Sequence, residues 1–148
     1  MKIVIVGDHT RSNPEDFALV NAIIDDCKLR YGKFRIITKD CSRGVGKIIK
    51  TRLTDPVTRR PRELDWTELS IQHYMIGEDM PRLEFSSDFD ALNSTLTDIG
   101  DVFHILSEEK PRGVTMNLLR RVIDAHRPYV LYKPGETTAK KAEFHEYH

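Results

Sequence analysis

The chain has no long apolar run. Its first candidate, Ile3-Val4-Ile5-Val6 directly after Lys2, is far too short for a secretory signal, and nothing elsewhere approaches the roughly 20 residues of a membrane-spanning helix. A cytoplasmic protein without membrane association is therefore expected. Net charge is also missing, since 23 basic residues balance 23 acidic ones, which removes the long-range pull toward nucleic acid or anionic lipid. There are only two cysteines, Cys27 and Cys41, with no Cys-x-x-Cys and no paired histidines at ligand spacing. Free thiols are expected, and neither a metal site nor a cofactor is. Internal repeats and low-complexity stretches are absent. At 148 residues the chain can bury one core, about two-thirds of its unfolded surface. Residues 1–133 are read as a single domain and 134–148 as a polar tail or short surface helix.

What is present is organised around Asp101 to Tyr132. An apolar run, Val102 to Leu106, breaks into a polar loop at Ser107. A helical pattern follows from Gly113, and a second apolar run, Tyr129 to Tyr132, closes the unit. Strand, loop, helix and strand in this order form the crossover that parallel strands require. The start of the chain repeats the logic. Lys2 to Val6 reads as a strand buried on both faces, ended by Gly7. Asn13 is placed as helix N-cap, with Pro14 at the first helical position and acids in the first turn. The helix should run to Tyr31 and stop at Gly32, with Phe17, Val20, Ile24, Cys27 and Tyr31 on its buried stripe and Ile23 widening it. Phe34 to Thr38 is a second strand, followed by a loop through Ser42, Arg43 and Gly44 and a short helix ending near Leu53.

The middle of the chain is less patterned. Thr54 to Arg62 reads as a loop, with Arg59, Arg60 and Arg62 as its basic cluster and the Arg59 to Arg62 part expected to be solvated and mobile. Leu69 to Met75 alternates as an edge strand would, and Asp88 to Thr97 reads as a helix with Phe89, Leu92 and Leu96 on one side. The fold class is therefore α/β, a Rossmann-like three-layer domain with a mostly parallel sheet. Ligands in such sheets gather at the strand carboxyl ends. That criterion selects the loops after Val6, Thr38 and Leu106. Thr115 and the free backbone N–H groups near Gly113 would face this surface, able to hold an anion without a cationic side chain.

Read singly, the candidate residues carry two meanings. Gly7, Gly44 and Gly113 permit either turns or close ligand approach. Asp8 and His9 are a candidate acid–base or sugar-contacting pair. Glu108 and Glu109 are candidate carboxylates for cleavage of an N-glycosidic bond, or solvated surface charges. His104, inside an apolar strand, is read as a hydrogen-bonded core histidine rather than a metal ligand.

The segments KIVIVG, SRGVG, LNSTLTDIGDVFHIL and PRGVTMNLLRRVIDAHRPYVLY together resemble the SLOG superfamily of Rossmann-like nucleotide-binding domains, which includes the LOG phosphoribohydrolases and the DprA domain; nucleoside deoxyribosyltransferases are structurally similar. On that resemblance Gly7 ends the first strand, Arg43 and Gly44 form the turn after the second, Asn93 precedes the fourth strand, and Gly113 and Thr115 begin the phosphate-binding helix, with Ser107 in the loop before it. The LOG signature PGGxGTxxE is not intact. Arg112 stands where a glycine belongs, no glutamate follows Thr115 in the first turn, and Asp40 and Cys41 replace the glycines after the second strand. The resemblance thus implies a domain that binds or senses a nucleotide or nucleotide derivative, paired through helices as a homodimer. The alternative is a nucleoside or nucleotide N-glycosidase or deoxyribosyltransferase-like enzyme using Asp8, Glu108 or Glu109. A weaker alternative is a nucleic-acid contact through Arg52, Arg59, Arg60 and Arg62. Zero net charge and the lack of an aromatic-rich basic stretch count against it.

Overall fold

The computed structural model of the protein describes residues 1–39, 44–60, 62, 64–69 and 88–143. In chain order these form β1 (Lys2–Gly7), α1 (Pro14–Arg30), β2 (Arg35–Lys39), α2 (Val45–Leu53), β3 (Trp66–Leu69), α3 (Asp88–Ile99), β4 (Val102–Leu106), α4 (Gly113–Asp124) and β5 (Tyr129–Tyr132). Five strands make one sheet in the order β3-β2-β1-β4-β5, and every pairing between them is parallel. The fold is α/β and Rossmann-like, as expected from the alternation of elements.

Strand β1 lies at the centre because both its faces are apolar, and only a strand covered on both sides can bury such a run. Ile3 and Ile5 join one core with Leu19, Val20, Ile23 and Ile24 of α1 and Ile48, Ile49 and Leu53 of α2. Val4 and Val6 join the other, with Leu96 of α3 and Leu118, Leu119 and Val122 of α4. Successive side chains on a strand point to opposite faces, so one short segment holds two helical layers together. Chain order then fixes what lies between β1 and β4. The connections leaving them lead to opposite sides of the sheet, and the crevice at their carboxyl ends is the switch point where open α/β sheets take ligands.

Local chemistry explains the element ends. Asn13 caps α1 by accepting from the Asp16 N–H at 3.0 Å while the Asp16 carboxylate accepts from the Asn13 N–H at 3.3 Å, a reciprocal capping box. The helix ends differently from expectation. Tyr31 is an extended C-cap whose N–H reaches the Cys27 carbonyl, so the stop requires no left-handed residue at Gly32. Val20, Ile23, Ile24 and Cys27 of the expected stripe of α1 are buried, and Leu19 joins them while Phe17 does not. Leu19 and Ile23 face the sheet, and Phe17 is 39% exposed; similarly Phe89, expected beside Leu92 and Leu96, is 53% exposed. Cys27 is a free thiol, buried in the core, and burial pushes its pKa up to about 12.

Three further regions take definite form. Strand β3 begins at Trp66, earlier than Leu69, at the sheet edge; residues 70–75 of the expected strand lie outside the described residues. The backbone before Arg62 forms a hydrogen-bonded turn. Asp55 accepts from the Val57 and Thr58 N–H groups at 2.8 and 3.0 Å, and these bonds hold its pKa below the usual carboxylate value. The Asp55 N–H donates to the Arg60 carbonyl at 2.9 Å. Finally, the tail holds no helix through Glu143. Glu143 forms an antiparallel bridge with Tyr129, Ala142 is buried, and the Tyr132 hydroxyl accepts from the Lys140 N–H at 3.0 Å. That hydroxyl also lies 3.0 Å from Nδ1 of His104. The histidine is buried and its pKa is lowered to about 4 by burial, the hydrogen-bonded core histidine that its place in an apolar strand predicts.

Candidate functional site

Three loops meet at the switch point, and Asp8 is where they meet. Its N–H donates to the Leu106 carbonyl at 3.0 Å, which continues the β1–β4 ladder one residue past Gly7. One carboxylate oxygen of Asp8 accepts from the Glu108 N–H at 3.1 Å and the other from the Thr115 hydroxyl at 2.9 Å. The β1 loop is thereby tied to the β4 loop and to the first turn of α4. The β2 loop joins them at Gly44, where an added Cβ would lie 3.1 Å from the Asp8 carbonyl oxygen and 3.2 Å from the His9 Cα. With φ +85°, Gly44 meets both conditions that favour glycine, a left-handed backbone and a close neighbour.

The other two glycines have structural reasons. At Gly7 a Cβ would stand 2.6 Å from the Leu106 carbonyl and 2.8 Å from Val45, so glycine lets β1, β4 and α2 approach. Gly113 opens α4 with φ +59° and has nothing within 4 Å of an added Cβ; its backbone conformation alone accounts for it. Thr115 is buried and its hydroxyl is committed to Asp8. The helix start therefore already carries a carboxylate, which changes the expectation of a backbone-only anion cradle with Thr115 free to join it.

The remaining candidates divide into those near Asp8 and those turned elsewhere. The Glu108 carboxylate pairs with Arg112 at 3.0 Å and accepts from the Thr10 hydroxyl at 3.4 Å. Glu109 is exposed and lies 3.7 Å from the Lys133 ammonium, away from Asp8's partners. Ser107 is fully buried, and its hydroxyl donates to the Glu108 carbonyl at 2.8 Å, within its own loop. His9 is exposed, and no hydrogen bond joins it to Asp8. Asn93 is fully buried. Its amide donates to the Val114 carbonyl at 3.0 Å and to Asn117 at 3.1 Å, so it fastens α3 to the first turn of α4. Arg43 lies outside the described residues.

Two charged groups near this point were not singled out by sequence reasoning. Arg11 is almost fully buried. Its guanidinium pairs with Asp16 at 2.8 Å and donates to the carbonyls of Ser107 and Tyr132, pinning the ends of β4 and β5 to the start of α1. Lys39 is the last residue of β2. Ile3 pairs with Ile36 and Val4 with Ile37, a register that carries Lys39 level with Val6, and its alternation with Ile37 puts it on the α3–α4 side of the sheet. Burial lowers the pKa of its ammonium to about 8, while the nearby Asp8 carboxylate acts in the opposite sense. A cation ending an otherwise apolar strand, RIITK, is the signal that could have marked it.

The basic cluster is partly committed to structure. Arg52 bonds Asn21 and Asp25 of α1 at 3.0 and 2.6 Å, and Arg62 donates to the Arg52 carbonyl at 2.6 Å. A groove of about 360 Å³ lined by Phe17, Asn21, Ile48 and these two arginines lies on the α1–α2 face, away from Asp8. Among the described residues no cluster of three His, Cys, Asp or Glu side chains is arranged to hold a metal ion, and no helix is long and apolar enough to cross a membrane. Comparison of the chain with family models, curated proteins and solved structures finds no match.

Proposed function

We propose that this chain is a SLOG-like domain that binds or senses a nucleotide or nucleotide derivative, without catalysis, in the crevice at the carboxyl ends of β1 and β4. The observation that carries this reading is the fixing of Asp8 at the switch point by one backbone and one side-chain donor. Each carboxylate oxygen keeps acceptor capacity beyond the single bond it makes, which suits the vicinal hydroxyls of a ribose. The α4 N-terminus beside it and the partly buried Lys39 supply positive potential for a phosphate.

A thermal-shift screen of nucleosides and their 5′-monophosphates tests this directly. A ligand at a hundred times its dissociation constant stabilises the fold by about 2.7 kcal/mol, a rise of several degrees in Tm. No shift with any of them at millimolar concentration would remove the reading.

The enzyme alternative rests on Asp8. Cleavage of an N-glycosidic bond needs a carboxylate close to the anomeric carbon, and Asp8 is the candidate that the loops hold in the crevice. If the wild-type protein releases free base from a nucleoside monophosphate and Asp8→Asn abolishes that release, the domain is a glycosidase. The resemblance also implies a homodimer paired through helices; a monomer mass in light scattering over a wide concentration range would remove that part.

A further inference from the structure

We propose that Lys39 is the cation that receives the anionic group of the bound nucleotide, its 5′-phosphate, while Asp8 takes the sugar hydroxyls beside it. This inference rests on the nucleotide-binding reading and adds a specific recognition element to it. Three observations lead there. Lys39 ends β2 on the α3–α4 side of the sheet, the side on which Asp8 bonds Thr115. Its side chain is partly buried and that desolvation lowers the pKa of its ammonium, yet among the described residues the ammonium has no hydrogen bond or ion pair. A charge removed from water without a partner is costly, and a bound anion would offset that cost.

Asp8 does not provide the missing partner. Its field reaches Lys39, but its two oxygens are turned to the Glu108 N–H and the Thr115 hydroxyl, which holds the carboxylate over the start of α4. Because a negative group already occupies that helix end, the helix dipole alone is a weak attractor for a second one. The phosphate affinity must then come from a side-chain cation, and Arg112, which directly precedes the helix, is paired with Glu108.

Calorimetric titration of adenosine, guanosine, cytidine, uridine and their 5′-monophosphates into wild-type, Lys39→Met and Lys39→Arg proteins tests the assignment. The wild type is expected to bind a monophosphate more tightly than its nucleoside. Lys39→Met should weaken the monophosphate roughly ten- to a hundredfold, the size of a charged hydrogen bond, and leave the nucleoside within about twofold, whereas Lys39→Arg should retain most of the phosphate preference. Equal monophosphate affinity in wild type and Lys39→Met overturns the role of Lys39 and leaves the nucleotide-binding reading standing. Failure of every compound to bind the wild type overturns that reading and this inference together. Should Lys39→Met not fold, amine acylation of the wild type near pH 8, mapped by peptide mass, gives the same decision. A bound monophosphate should slow modification of Lys39 more than its nucleoside does, and equal slowing overturns the proposal.

Discussion

Arg11 and Lys39 are both cations at the carboxyl edge of the same sheet, and their surroundings differ in one respect. Every nitrogen of the Arg11 guanidinium has a partner: Asp16 for Nε and one terminal nitrogen, and the ends of β4 and β5 for the rest. Lys39 is partly buried, and among the described residues it has only the field of Asp8 to oppose its desolvation. A buried charge with all its bonds made is part of the architecture, and removing it leaves its partners stranded. One without such bonds costs stability in the free protein, and a ligand can relieve that cost. Completeness of partnering, more than burial, separates the brace from the site.

The most severe test is Arg11→Met. It strips the Ser107 carbonyl and one oxygen of the Asp16 carboxylate of their guanidinium donor and leaves the Tyr132 carbonyl with the Ser107 N–H alone, and should cost about 3–5 kcal/mol in urea denaturation. Lys39→Met should cost no stability by the same measurement. If Arg11→Met costs under about 1 kcal/mol, or Lys39→Met costs as much as it does, the distinction between brace and site fails.

Next comes pH. His104 has its folded pKa lowered to about 4 from an ordinary 6.5, so between these values the unfolded chain binds more protons than the folded one. Its contribution is whole above pH 6.5 and is lost as pH falls toward 4, amounting to roughly 2 kcal/mol at pH 5. Urea titrations at pH 7.5 and 5 should show a smaller acid loss in His104→Gln than in wild type. Equal losses would mean that the Tyr132 hydroxyl accommodates a charged imidazole.

Thr115→Val removes one of the two donors to Asp8. Because Asp8 is only partly buried and water can replace the lost donor, stability should fall by about 1 kcal/mol, with nucleotide affinity falling as Asp8 loosens. A loss as large as that of Arg11→Met would move Asp8 from the site to the framework. The smallest effect is expected at Arg59, whose φ of +59° is strained for any residue with a Cβ. Arg59→Gly should change stability by less than about 1 kcal/mol, in the stabilising direction if relief of strain outweighs the greater freedom of the unfolded chain. A clear destabilisation would show that the arginine side chain supports the turn.

The elements themselves were legible because their signals are local. The apolar runs of β1, β4 and β5, the Asn13-Pro14 helix start and the order of strands and helices each follow from neighbouring residues. The directions of the stripes were less legible. Phe17 and Phe89 fit helical periodicity as well as Leu19 does, and only the orientation of each helix on the sheet decides which side chain is buried. The turn at Asp55 was hidden for another reason, since prolines and arginines mark a loop whether or not its backbone bonds to itself.

By itself, the sequence determined that β1 is central and that the loops after the first, second and fourth strands end on one edge, because strand apolarity and connection order are written along the chain. Only the tertiary structure decided which residues complete one another there. Asp8 with Thr115 are 107 residues apart, Arg11 with Tyr132 121 apart, and Asp8 with Glu108 100 apart. Hydrogen bonding and desolvation depend on distances of a few ångströms, and the parallel register of β1 with β2 and β4 sets those distances for residues with no proximity along the chain.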